Sequence, residues 1–121
     1  MVKIMLIEDD LSMITLLCTL LQMEGFSVAK SKDDSLDKTV AAIKKEQPEL
    51  ILLDVHLHQF SGFELLKQLR SDEILNDIRV LMMSGLDMKE ESLKGGADDF
   101  ILKPYMPDEL IGTIHKILSA P

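Results

Sequence analysis

Short apolar runs alternate along the chain with longer stretches in which apolar residues recur every three or four positions. The runs at residues 2–7, 26–29, 50–54, 78–83 and 100–102 predict strands. Residues 50–53 are wholly Leu and Ile, as a central parallel strand covered on both faces requires. Residues 11–24, 35–46, 63–70 and 87–94 predict helices, and a fifth begins at Pro107. The first stripe is Leu11, Ile14, Leu17, Cys18 and Leu21; the last is Leu110, Ile111, Ile114, Ile117 and Leu118. Punctuation agrees: Asp10 or Ser12 caps the first helix, Gly25 closes it and Pro48 stops the second. Gly95-Gly96 breaks the fourth, and Asp108 and Glu109 complement the positive end of the fifth.

Strict alternation of five strands with five helices predicts an α/β fold built on a doubly wound parallel sheet. No repeat, composition shift or linker-like stretch interrupts it, so residues 1–121 read as a single domain. Such sheets gather ligands beyond the carboxyl ends of their strands, where the strand order reverses. The residues at those ends are Glu8-Asp9-Asp10, Asp54, Ser84-Gly85 and Lys103-Pro104.

Charge narrows the partners. The chain carries 13 Lys and Arg against 21 Asp and Glu, a net charge of −8. That balance is wrong for neutralising phosphates, so no direct nucleic-acid contact is expected. No basic cluster is present to attract an anionic membrane, and no apolar run approaches the length of a membrane span. The lone Cys18 excludes an internal disulfide framework and predicts a reducing, cytoplasmic setting. The eight Met residues read as core filling.

Carboxylates crowded at one sheet edge repel unless they protonate or a cation joins them. Hard oxygen donors without a thiolate suit Mg²⁺, which takes one or two protein carboxylates plus phosphate oxygens. Ser84 and Lys103 are placed to hold further oxygens of the same phosphate. An oxygen nucleophile, a metal and positive donors are what phosphoryl transfer needs. Other chemistries fit less well. His56 and His58 are two apart with no third soft ligand, which argues against a zinc site. Acids stand after the first strand where a dinucleotide fold needs glycines.

The ordered set Glu8-Asp9, Asp54, Gly62, Ser84 and Lys103-Pro104 resembles the receiver domain of two-component response regulators, over the whole chain. The thirty-residue separation of Asp54 from Ser84 is that of the family. The resemblance implies a flavodoxin-like receiver fold with strand order 2-1-3-4-5. It implies that Asp54 is the phosphoacceptor, and that Glu8, Asp9, Asp54 and the backbone carbonyl of His56 hold Mg²⁺. Ser84 and Lys103 would bind phosphoryl oxygens, with Phe100 as the switching aromatic and Lys103-Pro104 as a cis peptide. Its partners would be a histidine kinase or phosphotransfer protein and a downstream target or an effector domain. Partner binding would change through the fourth helix, fifth strand and fifth helix. Self-catalysed phosphorylation and dephosphorylation would be slow, so the domain is a switch, not an enzyme.

Two other readings compete with this one. A receiver-like interaction module without phosphate use is opposed by the complete residue set. A hydrolase of the haloacid-dehalogenase type needs a second Asp two positions on, where this chain has His56. Departures from the family also stand out. Leu57-His58 replaces a common Met-Pro, and Ser61 replaces a common acid. Ser84 and Lys103 are about three residues closer than usual, nearly one helical turn, so the fourth helix should be short or distorted. His56 and Leu86 occupy the positions that flank the hydrolytic water. Leu86 cannot orient one, which predicts slow loss of the phosphoryl group.

Overall fold

A computed structural model describes residues 1–31 and 35–121. Its elements run β1 (Lys3–Ile7), α1 (Leu11–Met23), β2 (Ser27–Lys30), α2 (Leu36–Glu46), β3 (Leu50–Asp54), α3 (Gly62–Ser71), β4 (Arg79–Ser84), α4 (Lys89–Lys94), β5 (Asp99–Leu102) and α5 (Pro107–Ser119). The five strands are parallel and lie in the order β2-β1-β3-β4-β5. This is the doubly wound α/β fold that the alternation predicted. From β1 the chain moves outward to β2, then crosses back to β3, so the order reverses between β1 and β3.

Alternate strand residues fill two cores. Ile4, Leu6, Leu50, Leu52, Leu81 and Met83 pack against Leu17 and Leu21 of α1 and Leu110, Ile114 and Ile117 of α5. Met5, Ile7, Ile51, Leu53, Val80 and Met82 pack on the other face against Ile43 of α2 and Leu65, Leu66 and Leu69 of α3. All four apolar residues of β3 are fully buried. Each such Leu or Ile contributes about 1.5–3 kcal/mol on leaving water. These two layers make the sheet a rigid base for the loops at its carboxyl edge.

Local signals fix the element ends. Asp10 caps α1 by accepting the N–H of Met13 at 3.0 Å. At the other end, Gly25 adopts φ +92°. The N–H of Phe26 then reaches the carbonyl of Leu21, and that of Gly25 the carbonyl of Gln22. Glycine suits this left-handed closure because it has no Cβ to strain. Phe26 therefore belongs to the helix closure, and β2 begins one residue later than the pattern predicts. The α4 helix has only six residues, in line with the shortened Ser84–Lys103 interval.

The apolar stripe of α1 fails at one end. Leu11, the first residue of α1, is 79% exposed. Cys18, on the predicted stripe of α1, is partly buried against the α1–α5 core, and His115 of α5 is exposed. No helix among the described residues is long and apolar enough to cross a membrane.

Candidate functional site

The carboxyl ends of β1, β3 and β5 bring three charged side chains into one buried cluster. Glu8 follows β1, Asp54 ends β3, and Lys103 follows β5. Lys103 Nζ donates to Asp54 Oδ2 at 2.5 Å and to Glu8 Oε2 at 3.0 Å. Both carboxylates are buried, while about a fifth of the Lys103 side chain stays in water. The remaining oxygens also have partners. Glu8 Oε1 accepts the N–H groups of Asp9 and Asp10 at 3.0 and 3.2 Å. Asp54 Oδ1 accepts the N–H of His56 at 2.8 Å.

The electrostatics follow from burial and proximity. Burial, then the adjacent Asp54, pushes the Glu8 carboxyl above its usual range, against the pull of Lys103. Burial pulls Lys103 the other way, but Asp54 and Glu8 together outweigh it and hold the ammonium above its ordinary value.

Lys103 reaches this position through the strand pairing: its N–H donates to the carbonyl of Ser84 at 2.8 Å. The Lys103-Pro104 peptide is cis, as expected. Ser84 is fully buried, and its Oγ accepts the N–H of Leu86 at 3.0 Å. The hydroxyl thus braces the start of the β4–α4 turn. Phe100 pairs in register with Met82, two residues before Ser84, and packs in the same α2–α3 core as Met82.

Asp9 stands apart from the other acids. Its Oδ2 accepts the backbone N–H of His58, and its side chain is about a third exposed. Among the described residues, no three His, Cys, Asp or Glu side chains are grouped to hold a metal ion. The acidic donors there are nonetheless the hard carboxylate oxygens of Glu8, Asp9 and Asp54. That donor chemistry fits Mg²⁺ and no soft metal. His56 is exposed and bridges to Ser61, and no zinc constellation forms around it or His58 among the described residues.

The loop from β3 to α3 is held by two devices. Gly62 packs so closely on β3 that an added Cβ would collide with the Asp54 carbonyl and lie 2.9 Å from Val55 Cα. Ser61, read from sequence only as a departure, caps α3 through Phe63 and forms a reciprocal capping box with Glu64. The Ser-x-x-Glu spacing carried that signal. Tyr105 was also passed over: it is half-buried beside the cluster, its hydroxyl 3.6 Å from Met13 Sδ, and burial raises its pKa. Beside the acids opens a cleft of about 420 Å³, lined by Leu11, Ile14, Leu57, Phe60, Asp9 and His58 among others.

An acid pair and a lysine converge at the strand-order reversal of a five-stranded parallel sheet. Those features define a doubly wound domain with a charged site where ligands of this class gather. The response regulator receiver domain family matches residues 4–115, and the chain belongs to it. It is 32% identical over 119 residues to the phosphate regulon transcriptional regulatory protein PhoB of Escherichia coli, covering 96% of this chain and 51% of that protein. It is 36% identical over 117 residues to the cell cycle transcriptional regulator CtrA of Caulobacter vibrioides, covering 96% of this chain and 50% of that one. The chain thus spans about half the length of these curated relatives. A crystal structure of a response regulator from Chloroflexus aurantiacus superposes with a TM-score of 0.88 at 26% identity, covering 98% of each chain. As a receiver domain of two-component response regulators, the chain is a signalling module whose general function is phosphorylation-based switching.

Proposed function

We propose that Asp54 is the residue phosphorylated, by transfer from the phosphohistidine of a histidine kinase or phosphotransfer protein. The observation that carries this reading is the buried Asp54 carboxylate at the end of the central strand, with the Lys103 ammonium 2.5 Å from Oδ2. An Asp54 oxygen attacks phosphorus, the P–N bond breaks, and the imidazole leaves as an acyl phosphate forms. Lys103 neutralises part of the charge that the phosphoryl group brings. Ser84 turns its hydroxyl from the Leu86 N–H toward a phosphoryl oxygen, and Phe100 on the same face follows.

Glu8, Asp9, Asp54 and the His56 carbonyl would hold Mg²⁺, which when bound supplies positive charge to the transferred group. The switch then rests on local electrostatics biasing two arrangements of α4, β5 and α5. Its output goes to a downstream protein or to an effector domain. PhoB and CtrA are named as transcriptional regulators, and their other halves lie outside the match. With a net charge of −8, the domain described here meets protein and not nucleic acid.

Incubation with acetyl phosphate and Mg²⁺ followed by intact mass tests the assignment. The protein gains one phosphoryl group, and Asp54→Ala gains none. An adduct that survives Asp54→Ala, or no adduct on the native chain, defeats it.

A further inference from the structure

We propose that the backbone N–H of His58 is a latch on Asp9, one that magnesium must displace, so that residue 58 sets the cation affinity of the acidic site. The idea rests on the reading of that site as a magnesium site and adds a positioning residue to it.

The bond joins residues 49 apart in sequence, from His58 N to Asp9 Oδ2 at 2.5 Å. An N–H bond to a carboxylate is charge-assisted. The imidazole contributes little: Nδ1 lies 3.5 Å from the same oxygen, and the side chain is 83% exposed. The contact therefore belongs to the backbone, and any residue but proline supplies it.

The loop that presents this N–H does not drift freely. His56 bridges to Ser61, Ser61 caps α3, and Gly62 lies against Asp54. Asp9 is thus tied to an anchored loop, while Glu8 spends its oxygens on the N–H groups of Asp9 and Asp10 and on Lys103. No three His, Cys, Asp or Glu side chains among the described residues gather on one point. A cation drawn to Asp9 competes with the His58 N–H for the charge on Asp9 Oδ2. The net strength of that bond is subtracted from cation binding.

The test titrates magnesium chloride into the native chain, His58→Ala and His58→Pro by isothermal calorimetry. His58→Ala keeps the N–H and should bind as the native chain does. His58→Pro lacks it and should bind roughly tenfold tighter, the equivalent of one hydrogen bond to a charged group. Equal affinity in all three overturns the latch. So does weaker binding by His58→Pro, which a supporting hydrogen bond would give.

Amide hydrogen exchange by NMR keeps the idea testable if the proline variant does not fold. The His58 amide of the native chain should be protected without magnesium, and exposed in Asp9→Ala or at saturating magnesium. An unprotected amide in the metal-free native chain overturns the latch whatever the variants do. Absence of magnesium binding in every variant overturns the underlying reading of the site, and the latch with it.

Discussion

Lys103 and Asp54, 49 residues apart, meet at 2.5 Å through Nζ and Oδ2. The same ammonium reaches Glu8 at 3.0 Å. A single cation on a side chain thus holds together two buried acids from neighbouring central strands. Replacing it with a neutral group leaves them facing each other without compensation. Lys103→Met should therefore destabilise the fold at pH 7. Loss of one partner from a buried pair costs about 3–5 kcal/mol, and the lower end applies because Lys103 keeps some contact with water. Urea denaturation measures this, and the loss should shrink on acidification as Glu8 takes up a proton.

The alkaline limb carries a second signature. The folded-state pKa values of Lys103 and Tyr105 are both raised, Tyr105 by burial. A raised value means stability is complete below the unfolded pKa and is lost as the pH climbs through the folded one. For Lys103 and Tyr105 the unfolded values are about 10.4 and 10, so neutral pH is unaffected and stability falls above pH ~10. Tyr105→Phe should make that fall shallower, as seen in thermal melts across the alkaline range. An unchanged profile removes the tyrosine from the account.

Asp72 behaves with the opposite sign. Its carboxylate accepts the N–H groups of Ile74 and Leu75 and pairs with Lys44, and the Ile74 bond above all lowers its pKa. Its contribution is present above the unfolded value and is lost as the pH falls through the folded one. Asp72→Asn should unfold at lower urea than the native chain at pH 7, and the difference should close as both are taken below the carboxylate range. A gap that persists there assigns the effect to something other than the charge.

Elements whose signal lies in side-chain pattern were legible. The run 50–54 gave β3 to the residue, because Pro48 bars a helix before it and an acid ends it. Strand-end chemistry placed Glu8, Asp54 and Lys103 at one edge, and the structure brings those three together. What escaped depends on partners that side-chain identity does not encode. The tie between Asp9 and His58 uses a backbone donor, which every residue but proline carries. Leu11 sits on the apolar stripe yet is exposed, because a helical stripe does not record which of its residues the fold covers. Phe26 reads as a strand residue by composition, yet its N–H is spent on closing α1.

Gly62 offers a steric test. An added Cβ meets the Asp54 carbonyl and Val55 Cα, both backbone, so no side chain can swing aside. Gly62→Ala should cost about 1–3 kcal/mol, as overpacking of a tight contact does. It should also slow labelling by acetyl phosphate, because the strain falls on Asp54, the residue proposed to accept the phosphoryl group. Native labelling kinetics with full stability would show that the loop yields more easily than its packing implies.

Leu86 offers a test of what sets the lifetime of the phosphorylated state. That residue is 64% exposed, two positions after Ser84, and its N–H is bound to Ser84 Oγ. An exposed leucine offers a hydrolytic water no hydrogen bond. His56, two positions after Asp54, is exposed, and among the described residues no carboxylate pairs with its ring. With leucine at this position, loss of the phosphoryl group should be slow. Leu86→Glu adds an acceptor there without disturbing the backbone bond to Ser84. It should speed loss about tenfold, less than the full effect of a dedicated base because the position is open to solvent. Release of labelled phosphate over time measures it, and an unchanged rate in Leu86→Glu removes this position from control of the lifetime.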